Sequence, residues 1–405
     1  MNSNSVLRAS IVLVGLDCLH AFSQSLGSGS LVPEPADFAL LESKQPRKDL
    51  PCAVSPIKPA VSFNFTFHSG YRVTMPTKEL AGLRNNDLVV FLRVVPLDRP
   101  EDTMYMAQRL HVPAQLWEDS AGGAQGVFEL GEGRYHVDWM VRDRQFRVCT
   151  KSWELEAKLS HKDASLTAWI APALIRVPVK LFEKEPVALH RPGTDLLKVD
   201  IIANFAPQNH DAVVLAAKDL DGLVEILHGI ARDPHIGEYS VVACSLPAQK
   251  VFYRQTSTNG IDFHAIGEAL ESLNPGLVDV KTLSAKNGTA NFVAGLLEES
   301  KKRDSDALII VGSKVAWNPK MPREALDPLG NLDRPLFYLD YNGNPADNPG
   351  RDFLRAAVKL KRGVVYNITY PKDLFHAWSD ILARTVKARK LRTDGEKAMD
   401  VTPLQ

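Results

Sequence analysis

The chain has 405 residues, of which 45% are hydrophobic and 24% charged, so it is long enough to form two domains with ordinary apolar cores. Lysine and arginine together number 48, as do aspartate and glutamate, and the formal net charge is zero. This balance excludes a global electrostatic attraction to nucleic acid or to an anionic membrane.

The first 23 residues have the pattern of a secretory signal peptide. Arg8 precedes a mainly apolar stretch, and Ala21-Phe22-Ser23 has the small-x-small form of a cleavage site. A loosely packed terminus is the alternative. Because no later stretch approaches the roughly 18 apolar residues of a membrane span, we expect a secreted or periplasmic protein. Residues 24–51, rich in Ser, Gly and Pro, are expected to form a flexible lead-in.

Residues 52–160 are predicted to form an all-β sandwich domain. Short segments alternate apolar with polar residues and are separated by Gly, Pro, Asn and Asp, as in antiparallel sheets. In one segment Tyr135, Val137 and Trp139 share a face, and with Trp153 they are expected to fill the core. A stacking platform for sugars or peptides is the alternative. The predicted strands are Val61–Phe67, Tyr71–Met75, Leu88–Val95, Thr103–Leu110, Gln125–Leu130, Arg134–Arg142 and Phe146–Lys158.

Cleavage of the signal peptide leaves three cysteines. Cys52 and Cys149 both lie in the β region, and an oxidising compartment would permit a disulfide between them. Two free thiols are the equal alternative, because the sequence does not show whether the two Cα atoms are within disulfide distance. Cys244 lies in an apolar run and is expected to be a small buried hydrophobic residue.

Residues 196–386 are predicted to form an α/β domain with a doubly wound, mainly parallel sheet. Strand and helix patterns alternate along this range, beginning with the apolar run before Asn204. Residues 161–195 are expected to be a linker that adds an edge strand near Ile175–Phe182. Residues 387–405 are expected to be a tail, with the basic cluster Lys387–Arg392 as the solvated end of a helix.

The order of these elements resembles that of a von Willebrand factor type A domain. The resemblance covers about Leu196 to Arg384, and it depends on the element order and on Asn287-Gly288-Thr289, which is similar to a Gly-Thr turn of that family. The segment VVYNITYPKDLFHAWSDIL is also similar to the family's last strand and helix. An all-β domain followed by an A-like domain resembles two-part exported bacterial proteins of unassigned function.

The resemblance implies a metal position at the carboxyl end of the first strand, but the ligands are replaced. The family holds a divalent metal with Asp-x-Ser-x-Ser, a Thr and a second Asp; Asn204, Ala206 and Gln208 stand at the first three positions here. Thr289 corresponds to the Thr, with a helix N-cap as its alternative role, and Gly312-Ser313 stands where the second Asp is expected. We therefore expect no metal and no cofactor, since Mg²⁺ requires carboxylates. Replacement ligands, Asp211 or Asp219, are the alternative.

The sequence favours a non-catalytic, exported binding or adhesion-type module. The motifs Gly-x-Ser-x-Gly, P-loop, His-Glu-x-x-His and Cys-x-x-Cys do not occur. We expect an unknown protein partner, and no nucleic acid, at an edge formed by Asn204, Gln208, Thr289, Gly312 and Trp317. One alternative is a structural component of an exported assembly. The other is a hydrolase in which an Asp, a His and a nucleophile such as Ser245 converge at that edge.

Overall fold

The computed structural model describes residues 35–42, 47–76, 87–111, 121–166, 174–178, 181–183, 195–209, 212, 215–272, 288–315, 323–343 and 352–400. The chain divides into two compact units. The first contains the described residues of 1–59, 68–157 and 173–177; the second contains those of 60–67, 158–172 and 178–405. Residues 60–67 thus belong with the second unit, whereas the sequence suggested one contiguous β domain over 52–160. The predicted signal peptide and Trp317 lie outside the described residues.

Two four-stranded sheets make up most of the first unit, with the spatial orders β1-β2-β5-β8 and β4-β3-β6-β7. The pairs β3–β4, β3–β6, β6–β7 and β5–β8 are antiparallel. The strands are β1 (Ala53–Val61), β2 (Phe67–Pro76), β3 (Asp87–Pro96), β4 (Met104–His111), β5 (Ala121–Leu130), β6 (Gly133–Arg142), β7 (Val148–Ala157) and β8 (Ile175–Arg176).

Side chains from both sheets form the core of the first unit. The Tyr71 ring of β2 lies 5.3 Å from the Trp139 ring of β6, and the Tyr71 hydroxyl donates a hydrogen bond to Gln108 Oε1 of β4 at 2.9 Å. Tyr135, Val137 and Trp139 are buried, which confirms the predicted inward face. Trp153 is only partly buried.

Two local predictions for the N-terminal part are wrong. The predicted strand Val61–Phe67 is mainly a connection between β1 and β2, in which Phe65 has a φ of 59°. Helix α1 (Pro35–Glu42) lies within the predicted flexible lead-in. Leu41 packs with the apolar side chains of the second sheet, and Arg142 pairs with Asp37 at 2.9 Å. These contacts hold α1 against the second sheet, although the composition of this segment is that of a linker.

A six-stranded sheet with the spatial order β11-β10-β9-β12-β13-β14 forms the centre of the second unit. All neighbouring pairs are parallel except β10–β11, which is antiparallel. This is the mainly parallel sheet that the sequence predicted. Its strands are β9 (Leu197–Asn204), β10 (Ile236–Ser245), β11 (Lys250–Thr258), β12 (Ala307–Gly312), β13 (Leu336–Tyr341) and β14 (Val364–Ile368). The helices are α2 (Ala217–Ala231), α3 (Phe263–Glu271), α4 (Gly288–Lys301), α5 (Arg323–Leu326), α6 (Phe353–Leu360) and α7 (Pro371–Asp400).

Helices cover both faces of this sheet, which explains why the central strands β12 and β13 are apolar at nearly every position. On one face Ile202 and Ile310 belong to a cluster with Val293 of α4 and Leu354 of α6. On the other face the Tyr239 hydroxyl donates to the Ile230 carbonyl of α2 at 3.2 Å. No helix among the described residues has the length and apolar composition that a membrane crossing requires.

The last helix is longer than the sequence predicted. α7 continues to Asp400, so residues 387–400 are helical and the predicted tail is wrong over that range. Arg389 donates to Asp195 at 2.6 Å, and Arg392 donates to Asp306 at 2.7 Å. These two carboxylates lie at the amino ends of β9 and β12. Two residues of the basic cluster that was expected to be solvated therefore form ion pairs within the second unit.

Candidate binding edge of the six-stranded sheet

Five residues align in a row across the carboxyl end of the sheet. Paired in turn, they are Cys244 of β10, Asn204 of β9, Gly312 of β12, Asp340 of β13 and Asn367 of β14. The chain order reverses at β9, which lies between β10 and β12. In open α/β sheets, ligands bind outside the carboxyl ends of the strands at such a reversal. This edge is therefore the candidate site.

Asn204 lies at the point of reversal, and its side chain is used internally. Asn204 is 0% exposed. Its Oδ1 accepts a hydrogen bond from the Leu246 amide at 3.0 Å, and its Nδ2 donates to the Ser313 carbonyl at 3.2 Å. Both ends of the amide thus bind backbone groups that follow the two neighbouring strands. An amide fits here because one position needs a donor and the other an acceptor.

The loop after β9 is also closed by internal hydrogen bonds. The Ser313 hydroxyl donates to the Ala206 carbonyl at 2.7 Å, and the Gln208 amide donates to Asp219 Oδ2 at 3.3 Å. Gln208 is 5% exposed. Gln208 is therefore buried, which corrects the expectation that it presents a polar group at an open rim. Asp219, the suggested replacement ligand, holds the loop instead; Asp211 lies outside the described residues.

Thr289 lies near the same edge, at the start of α4. The helix begins at Gly288, so Thr289 is in its first turn and the predicted N-cap role is wrong. Thr289 is partly exposed. A Cβ on Gly288 would lie 2.6 Å from the Gln249 side-chain amide, which shows that the start of α4 packs closely on the β10–β11 turn. Of the five predicted edge residues, the structure brings Asn204 and Gly312 into direct contact.

Sequence reasoning missed a second polar cluster, which surrounds Asp340 and Asp352 at this edge. Asp340 contacts Arg355 at 2.6 Å and Lys314 at 3.8 Å. Asp352 is the N-cap of α6 and accepts from the Leu354 amide at 3.0 Å. Burial, followed by the charge of Asp340, raises the pKa of Asp352 to about 6. Burial raises the pKa of Asp340 despite the two cations. An aspartate at the end of an apolar strand was the available sequence signal.

Three histidines of the second unit lie beside a backbone carbonyl or a nearby carboxylate. His228 Nε2 lies 2.8 Å from the Leu181 carbonyl, and His235 Nδ1 lies 2.9 Å from Asp233 Oδ1. His264 lies 3.7 Å from Glu268 of its own helix. Among the described residues, no three His, Cys, Asp or Glu side chains are grouped to hold a metal ion.

The first unit contains a disulfide, and a cavity lies beside its strand β7. A disulfide joins Cys52 and Cys149, whose Cα atoms are 6.3 Å apart. A cavity of about 360 Å³ lies between β1 and β7, lined by Pro56 to Pro59 and by Trp153 to Glu156. Trp153 thus lies at the side of the core and lines this cavity, whereas Trp139 is buried within the core.

Comparisons with known proteins identify no relative: the sequence matches no family model, and no curated protein is significantly similar to it.

Proposed function

We propose that this chain is an exported binding protein in which an all-β sandwich precedes a von Willebrand factor A-like unit. In the A-like unit, the carboxyl edge of the six-stranded sheet contacts a protein partner without a bridging metal ion. The observation that carries the proposal is the internal use of Asn204, whose amide binds the Leu246 amide and the Ser313 carbonyl at the point of strand reversal.

Strand order supports the A-like part of the proposal. Numbered within the second unit, the strands lie in the order third, second, first, fourth, fifth and sixth, and only the third is antiparallel to its neighbour. This arrangement accommodates the sequence resemblance from Leu196 to Arg384. The start of α4, which packs on the β10–β11 turn at this edge, adds the partly exposed Thr289 to the proposed contact surface.

The chemistry of the edge supports recognition without a metal. At the reversal point a neutral amide stands where the A-domain family has its first carboxylate, and Asp219 accepts from the backbone of the loop. Hard divalent cations need several oxygen ligands with negative charge. Without a metal ion, the partner is held by shape complementarity and by hydrogen bonds to exposed groups. Thr289 is partly exposed and Asn209 is exposed.

Export is supported by the N-terminal sequence pattern and by the bonded pair Cys52 and Cys149. Disulfides persist in secreted and periplasmic proteins and are rare in the cytosol.

Site-specific photo-crosslinking of the full chain, in cells that produce it, tests the proposed edge. A photoreactive residue at Thr289 or at Asn209 should give a discrete adduct with one protein. The matched control is Lys302, whose side chain is 75% exposed just after α4, at the opposite edge of the sheet. Equal adducts from Lys302 and from the two edge positions, or none from either edge position, would contradict the proposal.

A further inference from the structure

We propose that Asp340 and Asp352 form a proton-controlled clasp that joins the end of β12 to the first turn of α6. Binding of a proton tightens the clasp, and release of the proton loosens it. The inference does not depend on the identity of the partner or on the A-like assignment.

The clasp joins two segments that are distant in sequence. Asp352 Oδ1 accepts hydrogen bonds from the Val315 amide at 3.1 Å and from the Leu354 amide at 3.0 Å, and Oδ2 accepts from the Arg355 amide at 3.2 Å. The Phe353 amide returns a hydrogen bond to the Val315 carbonyl at 3.0 Å. One carboxyl group therefore caps α6 and also anchors the chain that leaves β12.

Asp340 is the second carboxyl group of the clasp, and its two oxygens differ. Oδ2 lies 2.6 Å from Arg355 and 3.8 Å from Lys314. Oδ1 is buried without a hydrogen-bond partner among the described residues, and Asp340 as a whole is 1% exposed. A buried charged oxygen without a donor is costly, so the protein gains by binding a proton in this cluster.

The charged and titratable groups around the clasp come from each described element that borders it. α6 contributes Arg355, the segment after β12 contributes Lys314, and β13 contributes the fully buried Tyr338, whose pKa is raised by burial and by the nearby charges of Asp352 and Asp340. On β14, Asn367 contacts Arg355 and carries no charge. The two cations do not neutralise the pair, because burial and the charge of Asp340 still raise the pKa of Asp352.

The raised pKa of Asp352 determines how the stability of the clasp changes with pH. The pKa of Asp352 rises from 3.8 to about 6 in the folded protein. Its contribution to stability is therefore complete below pH 3.8 and is lost as the pH rises through about 6. From pH 5 to pH 8, the equilibrium for opening of this junction should increase about tenfold.

Hydrogen exchange of the full chain at pH 5 and pH 8, corrected for intrinsic exchange rates, measures this opening. The Val315, Leu354 and Arg355 amides should lose about tenfold in protection at pH 8. The D352N variant keeps a capping oxygen but cannot ionise, so its protection should be the same at both pH values. The control is D262N at the exposed N-cap of α3, where Asp262 accepts from the Ala265 amide at 3.0 Å; it should keep the wild-type change.

Equal protection of the wild-type amides at both pH values would overturn the proposal, and so would a full tenfold change that persists in D352N. If D352N does not fold, the same hydrogen-exchange measurement on D340N tests the proposal. This variant removes the neighbouring charge that raises the pKa of Asp352. A smaller pH-dependent change in D340N supports the clasp, and an unchanged tenfold loss overturns it.

Discussion

Gly312 lies directly against Asn204 at the carboxyl end of the central strands. A Cβ on Gly312 would be 2.5 Å from the Asn204 carbonyl oxygen and 2.9 Å from the Asn204 Cβ. Gly312 also has a φ of 144°, a conformation that residues with a side chain rarely adopt. Glycine at this position therefore allows β12 to end beside the side chain that closes the point of strand reversal.

The G312A variant should lose at least about 2 kcal/mol in free energy of unfolding, because the methyl group collides with backbone and the φ is strained. Urea unfolding measures the loss. G295A in the middle of α4 is the control, since a Cβ there meets nothing within 4 Å; it should be neutral or stabilising by about 0.5–1 kcal/mol. Equal stability of G312A and wild type would show that β12 can end differently.

The N204D variant introduces the carboxylate that the proposed A-like assignment expects at this position, but it should not create a metal site. Its second oxygen would face the Ser313 carbonyl, now 3.2 Å from Nδ2, in a fully buried position. We expect a loss of about 3–5 kcal/mol at pH 7. N209D, at an exposed position, should stay within about 0.5 kcal/mol of wild type.

Thermal unfolding with excess Mg²⁺, Mn²⁺ or Ca²⁺ against a chelator completes that test. Wild type and N204D should each show the same Tm in both conditions. A site saturated at 100 times its Kd would add about 2.7 kcal/mol, a shift of a few degrees. Such a shift in wild type would contradict the metal-free edge.

Gln208 and Thr289 were both expected from the sequence to lie at the contact edge, but the structure predicts different effects of Gln208→Ala and Thr289→Ala. Gln208 is 5% exposed, so removal of its buried side chain should cost about 1–2 kcal/mol in free energy of unfolding. Thr289→Ala should stay within about 0.5 kcal/mol, because the side chain is partly exposed in the first turn of α4. Similar urea midpoints for the two variants would argue against the buried role of Gln208.

Asp138 should make the first unit sensitive to acid. Burial acts to raise the pKa of Asp138, but hydrogen bonds from Ser152 at 2.7 Å, His136 at 2.9 Å and Arg93 at 2.9 Å outweigh it, and the pKa lies below 3.8. Its stabilising contribution is therefore present above pH 3.8 and is lost as the pH falls through the lowered pKa.

In D138N, the urea midpoint should fall by an amount that corresponds to about 1–3 kcal/mol at pH 7 and should change less with acid than that of wild type. D102N, at an exposed position, is the control and should follow wild type throughout. A wild-type acid response in D138N would assign the sensitivity to another group.

Reduction of the Cys52–Cys149 disulfide should lower the free energy of unfolding by about 2–4 kcal/mol, because the bond closes a sequence separation of 97 residues. Urea unfolding with and without reductant measures the loss. Cys244 provides an internal control, since burial raises the pKa of its thiol to about 12 and it should resist labelling in the native protein. Two reactive thiols in the oxidised native chain would contradict the disulfide.

Sequence patterns were sufficient for the elements whose conformation is set by local periodicity. The alternation of Tyr135, Val137 and Trp139 predicted an inward face, and the apolar runs of β9 and β12 predicted buried strands. The same patterns failed where distant contacts override composition. α1 is held by Leu41 and Asp37 against the second sheet, and α7 continues through Arg389 and Arg392 because both pair with carboxylates of the second unit.

By itself, the sequence determined that the two halves differ in class, that the second half alternates strands with helices, and that the neutral residues Asn204, Ala206 and Gln208 follow the apolar run of β9. Only the tertiary structure decided that Asn204 is bound internally, that Gln208 is buried, and that Asp340 meets the first turn of α6. The physical reason is the distance along the chain. Periodicity reports which way a side chain points within its own element, whereas the Asn204–Ser313 hydrogen bond joins residues 109 positions apart. Such a contact depends on the path of the whole sheet.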